Sequence, residues 1–322
     1  MGGGVRNRAS WLVLACVVAG LAGCSASGKK VIAVIPKGTS HLFWISVQTG
    51  AEAAGKEFGV EIVWNGPAQE TDYSRQIQIL DSMVARHVDG IVIAASERKA
   101  LVGSIDRAAA AGIPLTVFDS AVDSTNYLSF VATDNVEGGR LGGRTLANLL
   151  GGKGKVALMM HAPGSASTMD REKGFHDVMS KEFPNIQIVA EQYGMSDRAK
   201  AMAASENILT AHPDLDGIFA SSEPSSVGAA LAIKGRGLSG KVRLVAFDSS
   251  DGMVEDLKGG TIDAMVVQDP FKLGFEAVRT VVDKIHGKTP PKQLDLPARV
   301  IRKADLDKPE IRQLLSPVPA HP

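Results

Sequence analysis

From residue 31 onward, short β-branched runs alternate with longer stretches whose apolar residues recur at helical spacing. Residues 31–35, 61–64, 90–94 and 114–118 read as strands, and 43–58, 73–87 and 100–111 as the helices between them. Apolar runs without polar alternation suit a parallel sheet covered on both faces. The rhythm resumes with strands at 155–160, 186–190, 217–220, 242–247 and 264–268, again with helices between. The pattern therefore predicts an α/β protein of two similar, doubly wound parallel-sheet lobes, neither small enough to be an appendage of the other. Val131-Ala132-Thr133-Asp134 lies between them with no Pro/Gly/Ser-rich linker, and a direct strand-like crossover suits a hinge better than a floppy tether. The Pro-rich, charged tail from Leu294 is expected to strap across the surface.

The first residues change the picture. Arg6 and Arg8 precede an apolar run at 11–20, followed by Leu21-Ala22-Gly23-Cys24. A short positive segment, an apolar stretch of about ten residues and small residues at its end make an export signal, too short to span a bilayer permanently. Its ending resembles the lipobox of bacterial lipoproteins, which implies removal of residues 1–23, loss of Cys16 with them, and acylation of Cys24. The simpler alternative is a secretory signal with an incidental cysteine. On the lipobox reading no thiol is left for redox or nucleophilic chemistry. The lipid is the only membrane attachment expected, because no later stretch approaches the ~18 uninterrupted apolar residues of a span. The body is then placed in the periplasm or on the extracytoplasmic face of the cell membrane.

Composition removes several function classes. The 322 residues suggest about two domains, with 44% hydrophobic residues to fill their cores. Lys+Arg and Asp+Glu balance at 35 each, and no basic stripe of the kind that phosphate backbones require is visible, so nucleic acid is not expected as a partner. The 7 histidines lie without short i, i+4 pairing, and neither a metal nor a cofactor is expected. Residues 50–56 and 235–241 have the spacing G-x-x-x-x-G-K, but Glu57 and Val242 follow where Ser or Thr would hold magnesium. There is no G-x-S-x-G elbow and no G-x-G-x-x-G after the first strand.

In open parallel sheets, ligands sit beyond the carboxyl ends of the strands. The residues there are informative: His41, Phe43 and Trp44 after the first strand, Asp119 after the fourth, and Asp248 and Gln268 in the second half. Together they suggest a cleft between lobes. Carboxylates and an amide there can bond the polar groups of a small ligand, and aromatic rings can cover its apolar faces.

Five motifs carry a family resemblance. They are Thr133-Asp134-Asn135 with Gly138-Gly139, Arg171-Glu172-Lys173-Gly174-Phe175, Leu209-Thr210-Ala211-His212-Pro213-Asp214, Val245-Ala246-Phe247-Asp248 and Val267-Gln268-Asp269-Pro270. With these in order, the run from Lys30 to about Arg302 resembles the periplasmic sugar-binding proteins of ABC transporters, closest to the ribose-binding branch. That branch shares its fold with the effector domains of LacI-type repressors. The resemblance implies a type I periplasmic binding fold, with residues 24–133 and 269–294 in the N-terminal lobe and 134–268 and 295–322 in the C-terminal lobe. It implies a monomeric, non-enzymatic protein that captures a small sugar or polyol and delivers it to an ABC permease. By position, His41, Phe43, Trp44, Asp119, Arg171, Ser222, Asp248 and Gln268 become ligand-binding residues. Ser120, Ala95, Ser196 and Ser222 depart from the ribose binder's Arg, Asn, aromatic and Asn, so ribose itself does not follow.

Plainer roles compete for each residue. Phe43 serves equally as the first core residue of its helix, and Trp44, one position round, is not expected to face the same core. Asp119 suits a turn or cap, Asp248 a cap for the next helix, Arg171 a solvated helix face and Gln268 a strand end. Gly38-Thr39-Ser40 already supplies a helix cap beside His41. Glu223 is plausible at the cleft, but also stabilising at a helix N-terminus on its own account. Two other functions remain open: a ligand-sensing lipoprotein for a chemoreceptor or sensor kinase, and a secreted α/β carbohydrate-active enzyme using Asp119 and Asp248 as acid and base.

Overall fold

The computed structural model describes residues 1–3 and 28–315; the export segment, Cys16 and Cys24 lie outside the described residues. In the first half β1 (Val31–Ile35), α1 (Leu42–Phe58), β2 (Glu61–Trp64), α2 (Tyr73–Ala85), β3 (Gly90–Ile93), α3 (Val102–Ala110), β4 (Leu115–Phe118) and β5 (Ser129–Thr133) follow in strict alternation until β4. The second half runs α4 (Asn135–Leu149), β6 (Gly154–Met160), α5 (Ala166–Lys181), β7 (Ile186–Tyr193), α6 (Arg198–Ala211), β8 (Gly217–Ala220), α7 (Glu223–Gly235), β9 (Arg243–Phe247), α8 (Asp251–Gly259) and β10 (Ala264–Val267). It closes with α9 (Pro270–Ile285), β11 (Gln293–Leu296), β12 (Arg299–Ile301) and α10 (Pro309–Leu315). The strands form two 6-stranded sheets, ordered β11-β5-β4-β3-β1-β2 and β12-β10-β9-β8-β6-β7. Every pairing is parallel except β12 against β10. The central strands β3, β4, β8 and β10 are buried throughout, as unbroken apolar runs covered by helices on both faces must be.

Two sequence expectations need correction. Residues 129–133 form a paired strand before the crossover begins, not merely a connector. The tail is no surface strap, because β11 and β12 add an edge strand to each sheet and bury Leu296 and Ile301. Since β11 pairs with β5 as far as Leu296↔Thr133, the last crossover lies at Pro297-Ala298, two residues beyond the expected boundary. The chain thus passes between sheets three times, after β5, after β10 and after β11. The first two passages share one device. Asp134 accepts from the N–H of Glu137 at 2.9 Å and Asp269 from that of Lys272 at 2.9 Å, each capping the helix that follows its crossover.

Those helices pack closely on their new neighbours, α4 on α5 and α9 on α1. A Cβ at Gly139 would meet the Arg171 carbonyl oxygen at 1.9 Å, and one at Gly274 would meet that of Val47 at 2.1 Å. Only glycine lets the backbones approach so far. The Gly139 contact is made to the backbone of Arg171 itself.

Candidate functional site

The carboxyl ends of β1, β4, β6, β8, β9 and β10 converge on one cavity. All eight residues selected from the sequence line it: His41, Phe43, Trp44, Asp119, Arg171, Ser222, Asp248 and Gln268. Lys37, Glu70, His161, Ser167, Thr168, Glu223 and Pro224 complete the wall.

The two aspartates occupy matching places. Each ends a strand, follows a buried phenylalanine and precedes a serine, as Phe118-Asp119-Ser120 and Phe247-Asp248-Ser249. Each also has a left-handed backbone, φ 56° at Asp119 and 68° at Asp248. Asp is among the residues that tolerate this region best, and such conformations persist where the surroundings over-determine them. Asp119 pairs with the Lys37 ammonium at 3.1 Å, and that ammonium also donates to Ser165 and Ser167 of the opposite lobe at 3.2 and 2.9 Å. Asp248 accepts from the amide N–H of Glu223 at 3.1 Å and from the Gln268 side chain at 2.7 Å. Burial pushes its carboxyl above the ordinary range, and Arg171, 3.8 Å away, draws it partly back. Each aspartate thus has its own cation, Lys37 beside Asp119 and Arg171 beside Asp248.

Arg171 is 3% exposed, which rules out a solvated role. Its Nε donates to Asn135 at 2.8 Å and an Nη to the Ser221 carbonyl at 3.0 Å, while the guanidinium lies 3.9 Å from the Phe247 ring centre. Gln268 has its side-chain oxygen buried without a partner. An orphaned acceptor in a lined cavity is what a ligand hydroxyl would satisfy. Asp248 does not cap the next helix, since Ser250 stands at that N-cap, and His41, not Thr39 or Ser40, stands at the N-cap of α1.

Phe43 and Trp44 also correct an expectation. They meet edge-to-face with ring centres 4.9 Å apart, which lets both pack on the same core while both line the cavity. The Trp44 indole N–H donates to Glu70 at 2.8 Å. Glu70 also receives His41 Nδ1 at 2.9 Å and, from the other lobe, His161 Nε2 at 3.1 Å. Ser222 bonds His161 Nδ1 at 2.9 Å. Glu223 is buried beside Arg198, and its burial raises the carboxyl despite that partner.

His161 directly follows β6 and Lys37 comes two residues after β1, so the strand-end rule reaches both. Glu70 lies six residues past β2 in a polar loop, where no local pattern marks it. The two lobes touch across the cleft through Lys37 and Glu70, through Ser167 N–H on the Ser120 hydroxyl at 3.2 Å, and through Arg98 N–H on the Gly164 carbonyl at 3.0 Å. This is a closed arrangement. Among the described residues no group of His, Cys, Asp and Glu could hold a metal ion, and no helix is long and apolar enough to cross a membrane.

A family model described as a periplasmic binding protein domain matches residues 32–289. The chain belongs to the periplasmic binding protein family. It is 31% identical over 275 residues to a D-ribose/D-allose-binding protein of Pseudomonas aeruginosa, covering 83% of this chain and 86% of that one. The ribose import binding protein of Bacillus subtilis is 28% identical, with 80% and 82% covered. Among solved structures, a carbohydrate transporter solute-binding protein of Agrobacterium radiobacter in complex with D-arabinose superposes with TM-score 0.88 at 33% identity, covering 90% of this chain and 99% of that one. An ABC transporter solute-binding protein of Agrobacterium vitis with bound D-fucose gives 0.86 at 35% identity, covering 89% and 100%. Membership fixes the two-lobed α/β fold, an extracytoplasmic location and the role of a non-enzymatic binding component. The acid–base reading of Asp119 and Asp248 falls with it.

Proposed function

We propose that this protein captures one small neutral sugar, a pentose or a hexose, and presents it to the permease of an ABC importer. The observation that carries the reading is that all eight residues selected as sugar contacts, from both sheets, line one cavity. Relatives named for ribose, allose, arabinose and fucose point to the same class. Phe43 and Trp44 cover the C–H face, Asp119, Asp248 and the free oxygen of Gln268 accept hydroxyl protons, and Arg171, His41 and Ser222 complete the ring of polar contacts. Hydrogen bonds to charged groups contribute about 1.5–3 kcal/mol each. Three of them with an aromatic platform supply the roughly 8 kcal/mol of a micromolar complex after association costs.

Residues 28–133, with α9 and β11, form one lobe, and α4 to β10 with β12 and α10 form the other; the sugar favours the closed arrangement, which the permease reads. The protein acts as a monomer, tethered through lipid on Cys24. Titrating D-ribose, D-arabinose, D-allose and D-fucose should change the tryptophan fluorescence, return the sugar unaltered, and lose the change in Trp44→Phe although Trp64 remains. No response to any of the four would sink the ligand class. Labelled palmitate should enter the wild-type protein in cells and not Cys24→Ala; an unlabelled wild type would end the anchor.

A further inference from the structure

The Glu70 contacts show which atoms carry protons. A carboxylate only accepts, so His41 Nδ1, Trp44 Nε1 and His161 Nε2 all donate to it, at 2.9, 2.8 and 3.1 Å. The hydroxyl of Ser225 gives its one proton to the Met160 carbonyl at 3.1 Å. The hydroxyl of Ser222 therefore gives its own to Ser225, 3.1 Å away, and has only lone pairs left for His161 Nδ1 at 2.9 Å. His161 thus donates from both ring nitrogens, as an imidazolium does. Burial alone would raise the Glu70 carboxyl, yet the hydrogen bond and charge of His161, then the hydrogen bond of His41 and the charge of Lys37, hold it well below the usual range. Burial alone would likewise lower His41, but its bond to Glu70 raises it.

We propose that Glu70 and His161 form a latch between the lobes, so that closing on sugar takes up a proton and binding weakens as the medium becomes alkaline. The inference rests on the cleft closing around sugar as set out above. Opening withdraws Glu70, on the β2–α2 loop, from His161, at the end of β6, so the cluster holds more protons closed than open. A sugar that favours the closed form then binds with proton uptake, and by reciprocity each proton lost costs affinity. The other charged groups near His161 have their nearest opposite charges or hydrogen bonds inside their own lobe, although Asp119 faces Asp248 and His41 faces Glu223 across the cleft. Glu172 of α5, pushed by burial to about 7, accepts from the His161 backbone N–H at 3.2 Å and from Ser221 at 2.9 Å, both in its own lobe. Arg171 of α5 faces Asp248 after β9, and Glu223 of α7 pairs with Arg198 of α6, within that same lobe. Across the cavity, Lys37 and Asp119 pair within theirs.

Calorimetric titration with D-ribose, D-arabinose and D-fucose, in two buffers of different ionisation enthalpy at about pH 8, above the ordinary histidine range, reads the proton count. The wild type should take up a substantial fraction of one proton per sugar. His161→Gln keeps a donor toward Glu70 but no charge; it should bind more weakly, with that uptake gone. Zero uptake in the wild type, or unchanged uptake in the variant, overturns the latch. Should His161→Gln fail to fold, Glu70→Gln is read the same way. If neither these three sugars nor D-allose binds, the ligand reading fails separately, and small-angle scattering of the sugar-free protein decides the latch. The wild type should be more compact at about pH 6 than at about pH 9. Identical curves at the two values overturn it.

Discussion

Arg171→Ala is expected to weaken sugar binding at least a hundredfold and to lower the melting temperature by several degrees. The guanidinium ties α5 to Asn135 and to the Ser221 carbonyl, lies over Phe247 and faces Asp248. Its removal leaves Asp248 buried with one compensating charge fewer. Burial already pushes that carboxyl upward, so it responds by rising further and taking up a proton, which costs the site an acceptor. Breaking a buried pair on one side costs about 3–5 kcal/mol, and a hundredfold change in affinity corresponds to about 2.7 kcal/mol. Arg171→Lys keeps the charge without the planar fork, and should fall between the wild type and the alanine variant. Calorimetry and thermal melting check both, and affinity within threefold of wild type in Arg171→Ala would remove Arg171 from the site.

That prediction could be drafted from sequence in part, and the missing part is informative. Strand-end logic found Asp119, Asp248 and Gln268 because each lies immediately past an apolar run, a relation that survives into space. It could not find Glu70, whose loop is brought to the cavity by the turn between β2 and α2 and not by periodicity. Nor could it find who neutralises whom. Lys37 and Arg171 lie 134 positions apart, yet each stands opposite an aspartate of the same local motif, one per lobe. The repeated Phe-Asp-Ser was visible all along as a trace of two similar halves. The strand boundaries came through well because buried parallel strands read as continuous apolar runs. The edge strands β11 and β12 did not. Edges are short and carry charge, as Gln293-Leu294-Asp295-Leu296 and Arg299-Val300-Ile301 do, so in sequence they look like tail. The burial of Trp44 beside Phe43 escaped for another reason. Helical phase predicts which direction a ring leaves its helix, but not that a neighbouring ring can meet it edge-to-face and share the core.

The second large effect is expected at a residue that touches no ligand. Gly139→Ala should destabilise the protein by about 1–3 kcal/mol and weaken sugar binding at the same time. Its new methyl group would sit 1.9 Å from the carbonyl oxygen of Arg171, which is backbone and cannot rotate away. Helices α4 and α5 must part, carrying Arg171 off Asn135 and Phe247. Gly274→Ala is the matched control in the other lobe, where the methyl group would meet the Val47 carbonyl at 2.1 Å. Val47 is buried in the core and does not line the cavity. Both variants should therefore melt lower by comparable amounts, with the larger affinity loss at Gly139, measured by calorimetry at a temperature where each remains folded. A single substitution then separates two things that one close helix contact provides: the cohesion of a lobe, and the position of the arginine it presents to the cleft. Wild-type melting in Gly139→Ala would mean that the helices yield without cost. Equal affinity losses in the two variants would mean that the height of Arg171 is not set by this contact.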